Sequence, residues 1–231
     1  MMDNFDYIKR NYNSLIEEID ALSTGLGVST PTLVSVTKSG TDEELLALAA
    51  AGARDVGENR PGEVKRRGEI LRAAGFDVRM HEIGTLQRNK IKLIADSAYM
   101  IHSVDSLKLA CDVSRHAEMH GRVIPVLIEV NSAKEEQKSG VLPELAEELL
   151  CQIKDLPGIS CSGLMTMGPA ECDAEELRGY FRSTKRLFDE LSDKYGFGDS
   201  PVLSMGMSDS YKIAIEEGST LIRVGRRLFI K

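Results

Sequence analysis

Apolar residues recur at helical spacing near the N-terminus. Phe5, Ile8, Tyr12, Leu15, Ile16, Ile19 and Leu22 share one side of a helix running from Asp3 to about Ser23. The Gly25-Leu26-Gly27 break stops it. Beyond it, short β-branched runs alternate with helical stretches. Runs at 33–37, 54–57, 78–83, 98–102, 123–130, 159–165, 201–204 and 220–224 predict eight strands, with a helical stretch fitting between each consecutive pair. Thr41-Asp42-Glu43-Glu44 has the form of a capping box. No Gly/Ser or Pro linker divides the chain, so residues 1–231 read as one domain. Eight β/α units in one undivided chain predict an α/β fold, a (β/α)8 TIM barrel preceded by an extra helix. A doubly wound open sheet competes, but the first strand lacks the GxGxxG turn of that fold.

Composition narrows the function classes. The 231 residues carry a net charge of −7 and are 42% hydrophobic and 28% charged, the proportions of a folded globular chain. An acidic chain repels phosphate backbones, and with 5% aromatics and no Trp it has little to stack bases on, so no nucleic-acid partner is expected. No apolar run approaches the ~20 residues of a membrane span, and MMDNFDYIKR does not have the form of a secretion signal. Cys111, Cys151, Cys161 and Cys172 form no CxxC pair and read as reduced thiols of a cytoplasmic protein.

In a barrel, chemistry sits at the C-terminal ends of the strands. Lys38 ends the first run. Desolvation of its stem would lower the amine pKa and ready it for attack on a carbonyl; alternatively it snorkels to solvent. The seventh run ends in Ser204-Met205-Gly206-Met207-Ser208 and leads into a helix read from Asp209 to Glu217. That helix start, with Gly206 allowing close backbone approach and Gly225 and Arg226 opposite, forms a candidate phosphate cup. Equally, Ser208 is a plain helix cap and Gly206 a turn residue. Arg223 lies inside a buried strand and needs a partner, either Glu129 or a ligand. His81 and His102 read as packed or hydrogen-bonded barrel residues. His116 and His120 have ligand spacing on a helix but no third ligand nearby. Lys65-Arg66-Arg67 reads as a solvated helix face.

Nine segments then resemble one family, in the same order and over nearly the whole chain. They are Leu33 to Lys38, Gly57-Glu58-Asn59, His81 to Lys90, Ile101 to Ser106, Glu129-Val130-Asn131, Lys138-Ser139-Gly140, Gly163 to Met167, Leu203 to Ser208, and Ile222 to Gly225. The chain resembles the pyridoxal phosphate (PLP) homeostasis proteins, whose fold is that of the N-terminal barrel of bacterial alanine racemase, a fold type III PLP protein. The resemblance implies that Lys38 holds PLP as an internal aldimine and that Ser204, with backbone near Met205, Gly225 and Arg226, holds the phosphate. It further implies that Arg223 faces the pyridine nitrogen and that Asn59 and Met165 line the ring pocket. Departures from the family pattern are Met80 for Trp, Glu82 for a hydrophobe, Arg60 for an aromatic, Gly40 for a second lysine, Ser210 for an acid and Arg226 for a small hydroxyl residue. Arg226 either replaces the missing hydroxyl with an N–H and a charge or points away.

The resemblance implies a carrier or buffer of PLP, the vitamin B6 cofactor, with PLP-requiring apoenzymes as recipients; a monomer is the default expectation for a barrel without the dimerising β domain. An amino-acid racemase is the alternative. It is disfavoured by the arginine at the ring nitrogen and by a chain ending at Lys231, without the β domain that brings a partner tyrosine in alanine racemases. A lysine-dependent barrel aldolase without PLP is a third reading.

Overall fold

A computed structural model describes residues 5–135, 137–169 and 171–231. Eight parallel strands close into a barrel in sequence order: β1 (Thr32–Val36), β2 (Asp55–Glu58), β3 (Arg79–Glu82), β4 (Met100–Val104), β5 (Ile124–Val130), β6 (Ile159–Thr166), β7 (Val202–Ser204) and β8 (Leu221–Val224). Pairing of β8 with β1, Thr32 opposite Leu221 through Ser35 opposite Val224, completes the ring. The helices are α1 (Asp6–Leu26), α2 (Asp42–Ala50), α3 (Pro61–Ala73), α4 (Leu107–Met119), α5 (Ala146–Ile153), α6 (Ala174–Tyr195) and α7 (Tyr211–Glu216).

The alternation is not complete. Between β3 and β4 a 3-10 segment, Arg88–Leu93, replaces the expected helix, and Ile91, Ile94 and Ala95 plug the shell there. After β8 there is one 3-10 turn, Arg226–Leu228. Helix α1 takes the vacant eighth place. It packs against α2, α7 and that last turn, burying Tyr7, Ile8, Leu15 and Ile19. It extends past the expected stop through Gly25 and ends at Gly27, whose φ of 67° is one that glycine adopts without penalty. The expected start at Asp3 lies outside the described residues. At α2 the capping box forms: Thr41 Oγ1 accepts from Glu44 N, and Glu44 accepts from Thr41 N.

Strand alternation sorts the barrel into two cores. Leu33, Val56, Met80, Ile101, Val126, Ile128, Leu164 and Leu203 face the helices. Inside lie a small apolar group, Met100, Leu127 and Met165, with Val34 beside Arg223, and a set of buried polar side chains that includes His81, His102, Ser204 and Arg223. A TIM barrel interior is ordinarily filled by branched apolar residues. This one is largely polar.

Glu82 lies on the outward face with Met80 and is wholly buried. One carboxylate oxygen accepts from Gly84 N at 3.1 Å, and the other has no partner among the described residues. Burial, with Glu58 nearby, pushes its pKa up to about 8. The folded value lies above the ordinary 4.5, so Glu82 stabilises the fold most below pH 4.5, and that contribution is lost as pH rises towards about 8. Glu82→Gln is expected to flatten this decline and raise the melting temperature by at least ~2 °C at the alkaline end. Thermal unfolding followed across this range checks it, and an unchanged slope would contradict the assignment.

Candidate functional site

A cavity of about 730 Å³ opens at the C-terminal mouth of the barrel. Lys38, Asn59, Glu129, Ser208, Arg223 and Gly225 face it. Each comes from a strand end or the loop beyond it.

Lys38 follows β1 and is exposed at the mouth, not seated in an apolar sleeve. The desolvation expected of its stem is therefore not seen, and the alternative of a side chain reaching solvent describes it. Its backbone is tightly held. Arg67 of α3 donates Nη1 to Thr37 O (2.5 Å) and to Glu58 Oε1 (2.7 Å), and Nη2 to Gly40 O (2.6 Å). The Thr37 hydroxyl also donates to Glu58, at 2.5 Å. Burial raises the Glu58 pKa, opposed by Thr37 and Arg67. Arg67 is thus a buried clamp on both sides of Lys38, and the expectation of a solvated face holds for Arg66 alone of the two arginines. The signal was present in the sequence: Val64, Arg67 and Leu71 share one stripe of α3. Gly40 sits under the Phe229 ring, where a Cβ would come within 2.5 Å of it, leaving no room for a lysine.

At the floor, Arg223 is 4% exposed. It donates Nη1 to Ser204 Oγ (2.5 Å) and Nη2 to Thr166 O (3.1 Å). Burial pushes its pKa down to about 10, opposed by Glu129, so it remains a cation at neutral pH. Glu129 does not form an ion pair with it. That carboxyl is 3% exposed, its Oε2 has no partner among the described residues, and burial with the nearby Asp105 pushes its pKa up to about 7.

The rim joins the loops after β7 and β8. Ser208 Oγ accepts from Gly225 N at 3.3 Å. Ser210 Oγ accepts from Met207 N at 2.9 Å. Arg226 pairs with Asp209, both well exposed. The expected helix start at Asp209 and the reading of Ser208 as its cap both fail here. Helix α7 begins at Tyr211, so Ser208 is not its cap and the segment from Asp209 to Ser210 is turn. Gly206 (φ 93°) is demanded by packing, since a Cβ there would lie 2.5 Å from that of Ala214.

Lys38, Asn59, Arg223, Gly225 and Arg226 therefore meet at one cavity. Met165, Ser204 and Met205 do not line it. Met165 packs inside the barrel with Met100 and Leu127, while Met167 reaches the cavity instead. Met205 is buried in the outer shell. Ser204 is the last residue of β7 and points inward, where His102 and Arg223 use its hydroxyl; the hydroxyl facing the cavity is that of Ser208. No cluster of metal-ligating side chains, His116 and His120 included, occurs among the described residues.

Comparison with known proteins gives the family. The chain matches the alanine racemase N-terminal domain over residues 11–230. It is 38% identical over 205 residues to the pyridoxal phosphate homeostasis protein of Aquifex aeolicus, covering 89% of each chain. It is 30% identical over 224 residues to the protein of that name from Haemophilus influenzae, covering 96% of this chain and 94% of the other. The chain belongs to the pyridoxal phosphate homeostasis protein family. A solved structure similar to this member of the family is PipY of Synechococcus elongatus with PLP bound, at TM-score 0.84 and 30% identity, covering 96% of this chain and all of PipY. Alanine racemase of Clostridium difficile, at 17% identity and TM-score 0.71, covers 99% of this chain and 59% of its own and shares the fold alone.

The clamp makes a direct prediction. Arg67→Met leaves Glu58 buried without its cation and is expected to cost about 3 kcal/mol in urea unfolding. Adding Glu58→Gln should recover part of that loss. A double variant no more stable than Arg67→Met would mean the pair is not coupled.

Proposed function

We propose that this chain binds PLP at Lys38 and serves as an intracellular carrier or buffer of the cofactor. The observation that carries the reading is that the exposed Lys38 amine and the buried Arg223 guanidinium face the same cavity. The residues present fit the group. Lys38 offers the attachment point for its aldehyde and Arg223 a fixed donor for its ring nitrogen. Ser208, whose oxygen accepts from Gly225 and whose own proton has no acceptor among the described residues, offers a hydroxyl for its phosphate. Arg226 can swing from its exposed pair with Asp209 at little cost, since such pairs are worth ~0–1 kcal/mol. The name of the relatives and the PLP held by PipY support the same reading.

When bound, PLP supplies an aldehyde that links reversibly to amines and a ring that withdraws electrons. The protein sets how far the second property is used. A cationic guanidinium offers only N–H donors, so a ring nitrogen facing Arg223 stays unprotonated and withdraws electrons weakly. That favours holding the cofactor over transforming substrates. A monomer is the proposed state. PLP-requiring apoenzymes are the proposed recipients. Four unpaired cysteines fit a reducing cytoplasm, and among the described residues no helix is long and apolar enough to cross a membrane.

Borohydride treatment of the PLP-loaded protein is expected to leave a pyridoxyl group on Lys38, and Lys38→Ala to lose the visible absorption band. A label elsewhere would overturn the site. Amino acids incubated with the loaded protein in deuterated water are expected to exchange at Cα no faster than with free PLP. Faster exchange would favour the racemase reading.

A further inference from the structure

Four hydrogen bonds run through the barrel from one mouth to the other. Asp55 Oδ1 lies 2.9 Å from His81 Nε2, and His81 Nδ1 lies 3.0 Å from His102 Nε2. His102 Nδ1 lies 3.1 Å from Ser204 Oγ, which accepts from Arg223 Nη1 at 2.5 Å. All five residues are at most 6% exposed. The chain begins at a second opening, a cavity of about 540 Å³ at the N-terminal mouth, where Asp55 also accepts from Arg79 Nη2 at 2.5 Å. It ends at the floor of the cofactor cavity.

Only one arrangement of protons satisfies every link. An ionised Asp55 accepts and cannot donate, so His81 carries its proton on Nε2. Burial lowers the pKa of both imidazoles, that of His102 well below its usual value, so each ring is neutral and has a single N–H. His81 Nδ1 must then accept, and His102 donates from Nε2. His102 Nδ1 accepts in turn from the Ser204 hydroxyl, whose oxygen accepts from Arg223. The donors all point one way, from the guanidinium down to the carboxylate. Such aligned chains polarise and strengthen one another.

We propose that Asp55 is a positioning residue for the cofactor site: from the opposite mouth of the barrel, through His81, His102 and Ser204, it fixes the direction of every link and so the orientation of Arg223. Ser204 is then fully used, its proton on His102 and its oxygen on Arg223, and is not a phosphate ligand. The effect on cofactor rests on the PLP reading above; the proton arrangement does not, and is measured without PLP.

Long-range nitrogen NMR of the PLP-free protein is expected to show both His81 and His102 as the Nε2–H tautomer. In Asp55→Asn, whose amide accepts or donates equally, Nδ1–H forms are expected on these rings. After loading with PLP, Asp55→Asn is expected to shift the visible band and weaken PLP binding about tenfold, as loss of an outer-shell partner does at metal sites. Ser204→Ala, which removes the two links at its hydroxyl but leaves Asp55–His81–His102 intact, should shift the band while both rings keep the Nε2–H form. An Nδ1–H tautomer on either ring of the native protein would overturn the proposal. So would altered tautomers in Asp55→Asn with band and affinity unchanged. If borohydride fails to label Lys38, the PLP reading falls, while the tautomer result still decides the chain.

Discussion

A guanidinium inside a closed barrel is the constraint on which this structure turns. Arg223 sits on β8, facing inward, with almost no contact with water. An unpaired charge there would cost more than most single interactions return. It is tolerated because its donors are taken up by Ser204 and the Thr166 carbonyl, and because the groups behind Ser204 are themselves satisfied down to the Asp55 carboxylate. The polar interior follows from this need. A barrel filled with branched apolar residues has no acceptor to give the arginine. Here His81, His102 and Ser204 occupy much of that volume, beside an apolar part that includes Met100, Leu127, Met165 and Val34.

The same arginine decides what the upper cavity can do. It is a fixed donor at the floor, while Lys38 stands exposed at the mouth. The two ends are organised differently. Arg223 is held by its own side-chain bonds. Lys38 has a free side chain on a backbone gripped by Arg67, Glu58 and Thr37. The cavity thus has a buried, hydrogen-bonded donor at its floor and an exposed amine at its mouth.

Much of the architecture was legible in the pattern of apolar residues. All eight strands lie within two residues of their expected bounds, because β-branched runs flanked by turns have few other uses. The segment before β4 misled because Ile91 and Ile94 have a spacing that a 3-10 turn shares with an α-helix. Lys38, Asn59, Arg223, Gly225 and Arg226 were legible because strand ends in a barrel converge on one mouth. Ser204 does not line the cavity because strand alternation turns it inward, and only four residues later, at Ser208, does a hydroxyl reach the rim. Arg67 was hidden in a basic run although it shares a stripe with Val64 and Leu71, and the pairing of His81 with His102 depends on which strands become neighbours. Composition carries no trace of that.

Under the proposed function, Arg223 would keep the ring nitrogen of bound PLP unprotonated. The most direct test is the nitrogen NMR shift of PLP labelled at the ring nitrogen and bound to the protein near neutral pH. A pyridine-like shift, moving toward the protonated value in an Arg223→Glu variant, is the predicted result. A pyridinium-like shift in the native protein would contradict it.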